Sequence, residues 1–229
     1  GFYYSQTTTA GEKQYYDKDL KPATWDNDVV STTLYAHWKP AVCRIGNVYF
    51  DSLQAAVNSV EDGETATIEM LVESYAIDST ITFMDTNTGS TGQNITITTA
   101  GDWPEVQGKV SRIYRPVKDN PSLASDYLFT GDLFNLNKNG DYSVNSTLTL
   151  ANITIDGSGF KSSNAPVGQA GTLFSVGANA TLNVGTTTDT PTLHNAYRDS
   201  ANGGAINSEN GTLVFNNCVV AGTWSSDDG

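Results

Sequence analysis

The sequence predicts an all-β chain built as a solenoid of stacked coils, and three observations carry that expectation. Thr, Asn, Ser and Gly are abundant while aliphatic residues are modest in number, a balance that favours strands and turns over helices. Residues 148–157 (LTLANITIDG) align without gaps with residues 213–222 (LVFNNCVVAG). In both copies the apolar positions step by two, the period of a strand whose side chains alternate between two faces.

Within the first copy the apolar residues are Leu148, Leu150, Ile153 and Ile155; within the second they are Leu213, Phe215, Cys218 and Val220. The step from the second to the third apolar position is longer, which leaves one residue to turn a corner between two strands. Asn152 and Asn217 precede the second strand, and Asn tolerates the backbone angles of a sharp bend. A partial third copy is ATLNVG, residues 180–185, and a fourth trace is NITIT, residues 94–98. Thr147, Thr181 and Thr212 lead three of these units at intervals of roughly thirty residues, a spacing that fits a solenoid whose coils carry insertions. Tight two-residue hairpin turns are few.

A helix is expected at about 51–61. Asp51 and Gln54 make a helix-start pattern, Leu53, Ala56, Val57 and Val60 fall at helical spacing, and Gly63 can end the run. The first coil of a solenoid has an open apolar end, so this short N-terminal helix is read as its cap. Residues 1–40 differ in kind, with aromatic strands ending in Tyr35-Ala36-His37-Trp38, and Lys39-Pro40 marks the boundary because proline interrupts strand pairing. The expected organisation is a small β module at 1–40 and the solenoid at 41–229.

TLTLANITIDG and GGAINSENGTLVFNNCVVAGT resemble coils of the right-handed parallel β-helix family, the pectin-lyase-like fold. That resemblance covers roughly residues 41–229 and implies like residues stacked about 4.8 Å apart from coil to coil. It places Asn152 and Asn217 on an internal asparagine ladder and Cys218 near the level of Ile153. Phe2-Tyr3-Tyr4 together with Thr33-Leu34-Tyr35-Ala36-His37-Trp38 resembles the latter half of an internalin-type B repeat, a β-grasp-like module of bacterial surface proteins.

Charge narrows the partners. The chain of 229 residues holds 12 Lys+Arg against 25 Asp+Glu, a formal net charge of -13. Such a surface repels phosphate backbones and argues against nucleic-acid binding. No apolar run is long enough to cross a bilayer, so no membrane insertion is expected in this stretch. The abrupt ends, Gly1-Phe2-Tyr3-Tyr4 and Ser226-Asp227-Asp228-Gly229, read as cuts through a longer, extracellular chain. Cys43 and Cys218 show neither a disulfide framework nor metal spacing, and Cys218 occupies an inward strand position.

Parallel β-helices often host enzymes that cut acidic polysaccharides with outward carboxylates and basic residues. Asp126, Asp132, Asp141 and Asp156 are the candidates, but no Asp-Asp pair followed by Gly-His-Gly accompanies them, and Asp156-Gly157 reads as a turn. Residues 137–141 (NKNGD) and 26–28 (DND) read as solvated turns, because neither matches an acidic calcium loop. His37 and His194 stand alone in sequence, so no metal or other cofactor is expected. Five Asn-x-Ser/Thr sites, at Asn94, Asn145, Asn152, Asn179 and Asn210, are explained as turn asparagines followed by strand residues.

The stretch 101–132 breaks the coil rhythm. Lys109, Arg112, Arg115 and Lys118 crowd into it, with Tyr114 and Tyr127 nearby and Trp103 at its entry. Excursions from a rigid scaffold are where binding concentrates, and Arg, Tyr and Trp are frequent interface anchors. These seven residues are the candidate binding set. Trp224, near the C-terminal edge, is expected to cover a further coil. The expectation is a non-catalytic piece of a bacterial cell-surface or secreted adhesin-like protein. It would display loops to a host protein, such as mucin or an immunoglobulin, or to a glycan. A polysaccharide lyase or hydrolase and a plain stalk are the alternatives.

Overall fold

The computed structural model describes residues 2–3, 14–16, 35–36, 39–83, 92–118, 126–136, 145–158, 160–162, 165–167, 171–198 and 204–225. The sequence candidates His37 and Asp141 and the turns at 26–28 and 137–141 lie outside the described residues. The chain divides into two compact units, Gly1–Pro40 and Ala41–Gly229. In the first, strands β1 (Phe2–Tyr3), β2 (Gln14–Tyr16) and β3 (Tyr35–Ala36) form an antiparallel sheet of order β2-β1-β3.

The second unit opens with an antiparallel pair, β4 (Cys43–Ile45) and β5 (Val48–Phe50), and a helix, α1 (Leu53–Asn58). Strands then come in triplets: β6 (Thr65–Met70), β7 (Ser74–Ala76) and β8 (Ile81–Phe83), followed by β9 (Asn94–Thr99), β10 (Ser111–Tyr114) and β11 (Phe134–Leu136). Next come β12 (Thr147–Leu150) and β13 (Ile153–Asp156), and an antiparallel excursion, β14 (Phe160–Ser162) with β15 (Ala165–Val167), precedes β16 (Phe174–Val176). The order continues with β17 (Thr181–Val184), β18 (Thr192–His194), β19 (Tyr197–Arg198) and β20 (Ile206–Ser208), then β21 (Thr212–Phe215), β22 (Val219–Ala221) and β23 (Trp224–Ser225). Trp224 therefore sits in a strand that pairs in parallel with β19.

Successive strands visit three sheets in rotation. The sheets have the orders β21-β17-β12-β9-β6-β4-β5, β22-β18-β13-β10-β7 and β20-β16-β11-β8. Every pairing in them is parallel except those made by β4. The registers join Ile95, Leu148, Leu182 and Leu213 on one rung and Ile97, Leu150, Val184 and Phe215 on another. On the second sheet Ile113, Ile155, Leu193 and Val220 share a rung. The repeat alignment is thus realised strand against strand, with the partial copy at 180–185 between the two full ones.

No strand could bury its inward side chains alone. Stacked, they form one core in which Ile95, Leu148 and Leu182 are fully buried. In the third sheet Phe134 and Phe174 occupy one rung, with their rings stacked 5.1 Å apart. Outward positions alternate with these and are partly open to water, as on β12, where Thr147 and Thr149 flank buried Leu148.

Left-handed corners recur at a fixed place. Two residues ahead of β6, β9, β17 and β21 stand Gly63, Gly92, Asn179 and Asn210, with φ of 76, 81, 63 and 61°. Glycine and asparagine are the residues that adopt this region at least cost. At Gly92 no side chain fits, because a Cβ there would meet the backbone of Asn145 and Ser146 at 2.5 Å.

Two expectations are corrected. Asn217 does not take an internal ladder position: it is exposed, and its amide donates to the Thr190 hydroxyl at 2.6 Å rather than to Asn152. The helix is not a cap over 51–61. It spans six residues, is started by Ser52 rather than Asp51, and packs against β4, β5 and β8, while the β4–β5 pair occupies the sheet positions beyond β6. Gln54 reaches out of it to accept from Thr82 N at 2.7 Å and donate to Thr82 O at 2.9 Å.

Candidate functional site

The residues singled out from sequence scatter into different environments. Trp103 opens a short 3-10 turn at Pro104–Val106 and lies 5.9 Å from the ring of Tyr49, half-buried beside Leu71, Ala100 and Val106. Lys109 pairs with Glu73 at 2.7 Å, and Lys118 with Asp126 at 3.3 Å. A patch of free positive charge therefore does not form from these lysines.

Arg115 and Tyr127 leave the candidate surface altogether, being 0% and 6% exposed. The Arg115 guanidinium donates to the carbonyls of Phe129, Gly131, Gly171 and Thr172, stapling a loop to the strand entry of the next triplet. Among the described residues no carboxylate binds it directly, and burial pushes its pKa down to about 10, because an ion away from water is disfavoured. Tyr127 and Phe129 present their rings to this cation at 6.0 and 5.4 Å. Sequence alone gave no way to separate a basic side chain that points inward from one that points out.

Arg112 and Tyr114 do face outward on β10, and they complete a cluster whose other members come from strands distant in sequence. Tyr114, Asp156 and His194 occupy one rung on the adjacent strands β10, β13 and β18. Asp156 takes an outward place yet is only 3% exposed. Its Oδ2 accepts from Arg112 Nε at 2.7 Å, and its Oδ1 accepts from Ser158 N at 2.7 Å and Asn195 Nδ2 at 3.1 Å. His194 Nε2 lies 3.6 Å from Oδ2. The guanidinium of Arg112, drawn across the rung to reach Asp156, passes 4.3 Å above the Tyr114 ring.

The turns behind these strands hold the cluster. Ser158 and Asn195 both adopt left-handed backbone, with φ of 52 and 54°. Between them Gly157 packs so closely that a Cβ would strike the Asn195 carbonyl. The Asn195 amide also donates to His194 Nδ1 at 2.8 Å, which leaves the ring hydrogen of a neutral imidazole on Nε2.

Asp156 is thus a concealed anchor with its lone pairs committed, while Arg112 and His194 retain 39% and 29% of their side-chain surface. What reaches solvent is a small rim of guanidinium, phenol and imidazole on a parallel sheet, suited to hydrogen bonding. The repeat could have revealed His194: residues 191–195 (PTLHN) follow ATLNVG as ITIDG follows TLTL. Residues 186–190 intervene and break the alignment. Among the described residues, no group of three or more His, Cys, Asp or Glu side chains could hold a metal ion, and no helix is long and apolar enough to cross a membrane.

Comparison with protein-family models, with curated proteins and with solved structures finds no match.

Proposed function

We propose that residues 41–229 form a right-handed parallel β-helix, one coil per strand triplet, belonging to a bacterial cell-surface or secreted adhesin-like protein. Its role is to hold a recognition surface rigidly before a host protein, such as mucin or an immunoglobulin, or a glycan. The rotation of strands through three parallel sheets supports the coil reading, and parallel crossovers are overwhelmingly right-handed. The antiparallel sheet of residues 1–40 is compatible with a β-grasp-like module joined to it.

One observation carries the recognition reading: Arg112, Tyr114 and His194 meet around a carboxylate already satisfied inside the protein. A general acid or base needs a free lone pair or an exchangeable proton near the substrate. Asp156 offers its oxygens to its own neighbours instead, which favours binding over turnover. The test is capture from host secretions by the immobilised chain, repeated with Tyr114→Ala and His194→Ala. Partner recovery that both changes weaken supports the proposal; recovery of nothing leaves a stalk. Release of unsaturated or reducing ends from pectate, alginate, glucuronan or chondroitin would replace it with a polysaccharide-cleaving enzyme.

A further inference from the structure

The outer face of the seven-stranded sheet is a second surface with a different character. Its outward rows follow strand registers: Thr147 and Thr181 share one rung, and Thr96, Thr149 and Asn183 share the next. These side chains are all partly open to water, and Asn183 Nδ2 donates to Thr149 Oγ1 at 3.1 Å along the row. None carries a charge, in a chain with 25 acidic residues. Where charge does enter, at Glu69 near the β4 end, Arg44 neutralises it at 2.8 Å and also binds Asp102.

At that same end the aromatic residues gather. Tyr49 pairs in register with Arg44 on the outward side of β5, is 49% exposed, and leans on Trp103 with an interplanar angle of 50°. The face therefore runs from a tilted aromatic pair, past one closed ion pair, onto rows of hydroxyl, methyl and amide groups. Adjacent strands repeat those groups about every 4.8 Å, a step comparable to a single sugar residue.

We infer that this face binds an extended, uncharged polysaccharide lying across the strands. An aromatic ring covers the C–H face of a sugar ring, and threonine hydroxyls and asparagine amides exchange hydrogen bonds with its hydroxyl groups. A charged polymer gains no free countercharge from the described residues of this face, where Arg44 is already paired with Glu69 and Asp102. The inference needs the sheet and the Tyr49–Trp103 pair, and it does not depend on the Asp156 cluster.

The test is affinity electrophoresis of the full chain through gels containing xylan, mixed-linkage β-glucan or galactomannan, and through gels containing pectate or chondroitin sulfate. Retardation is expected in at least one uncharged gel and should persist at high salt, because no ion pairing is involved. Tyr49→Ala combined with Trp103→Ala, and separately Thr149→Glu, should each weaken it by at least about tenfold. Leu128→Ala, at an exposed position outside this sheet, should leave it unchanged, and circular dichroism melts verify that the variants fold. Retardation by none of the uncharged polymers would overturn the inference. So would binding that survives Thr149→Glu, or binding confined to charged polymers and lost in Tyr114→Ala, which moves the ligand to the Arg112 cluster. Adsorption of the chain to growing ice without sugar binding would also overturn it, and would give the regular threonine rows a different lattice to match.

Discussion

At the scale of single residues, Asp156 and Arg115 show opposite ways of burying charge. Asp156 is ringed by donors, so Asp156→Ala strands Arg112 and the donors at Ser158 and Asn195. We expect a loss of more than about 2 kcal/mol by urea denaturation, near the low end for a buried pair because Arg112 is partly solvated. Asp156→Asn should cost less, since the amide keeps one acceptor. Cys43 offers a pH test. Burial, aided by the charge of Asp51, pushes its thiol from 9.0 up to about 12. The unfolded chain ionises first, so this contribution is intact below pH 9 and stability falls as pH rises from there toward 12. In the folded protein at pH 8, Ellman's reagent should titrate the partly exposed Cys218 quickly and Cys43 only at the rate of unfolding.

At the scale of elements, a rung is worth what covers it. Leu182 is 0% exposed between Leu148 and Leu213, whereas Leu213 is 36% exposed. Leu182→Ala should cost about 3 kcal/mol and Leu213→Ala about 1 kcal/mol or less, read from denaturation midpoints. This contrast also explains what was legible in the sequence. Leu148, Leu150, Leu213 and Phe215 announce their strands because inward positions must be apolar at every second residue. The third sheet was invisible: Ile81, Phe134 and Phe174 lead strands of three residues each, separated from their neighbours by insertions of unequal length. The apolar spacing of Leu53, Ala56 and Val57 marks helix α1 but fixes neither its extent nor its role, because spacing says which face is buried and not what lies against it.

At the scale of the whole molecule, the candidate site was only partly readable. Arg112 and Tyr114 were found from composition, yet the partners that define their role, Asp156 and His194, come from strands far along the chain. On this rung the outward residue changes from strand to strand, Tyr114, Asp156 and then His194, so no repeat marks the cluster, and register alone brings it together. The same reasoning separates Arg115 from Arg112, three residues apart and on opposite sides of the protein wall. Both binding proposals inherit this dependence, since each surface exists only if neighbouring strands are parallel and aligned rung on rung.

That alignment is the claim to test most directly. In a Cys43→Ser, Cys218→Ser background, paired cysteines at Thr147 and Thr181 face outward on adjacent strands in register. Their Cα atoms, about 4.8 Å apart, suit a disulfide. Mild oxidation should cross-link the Thr147→Cys, Thr181→Cys variant rapidly within one chain and leave Thr147→Cys, Asn183→Cys largely reduced. Equal cross-linking of the two variants, or preference for the second, would contradict the account.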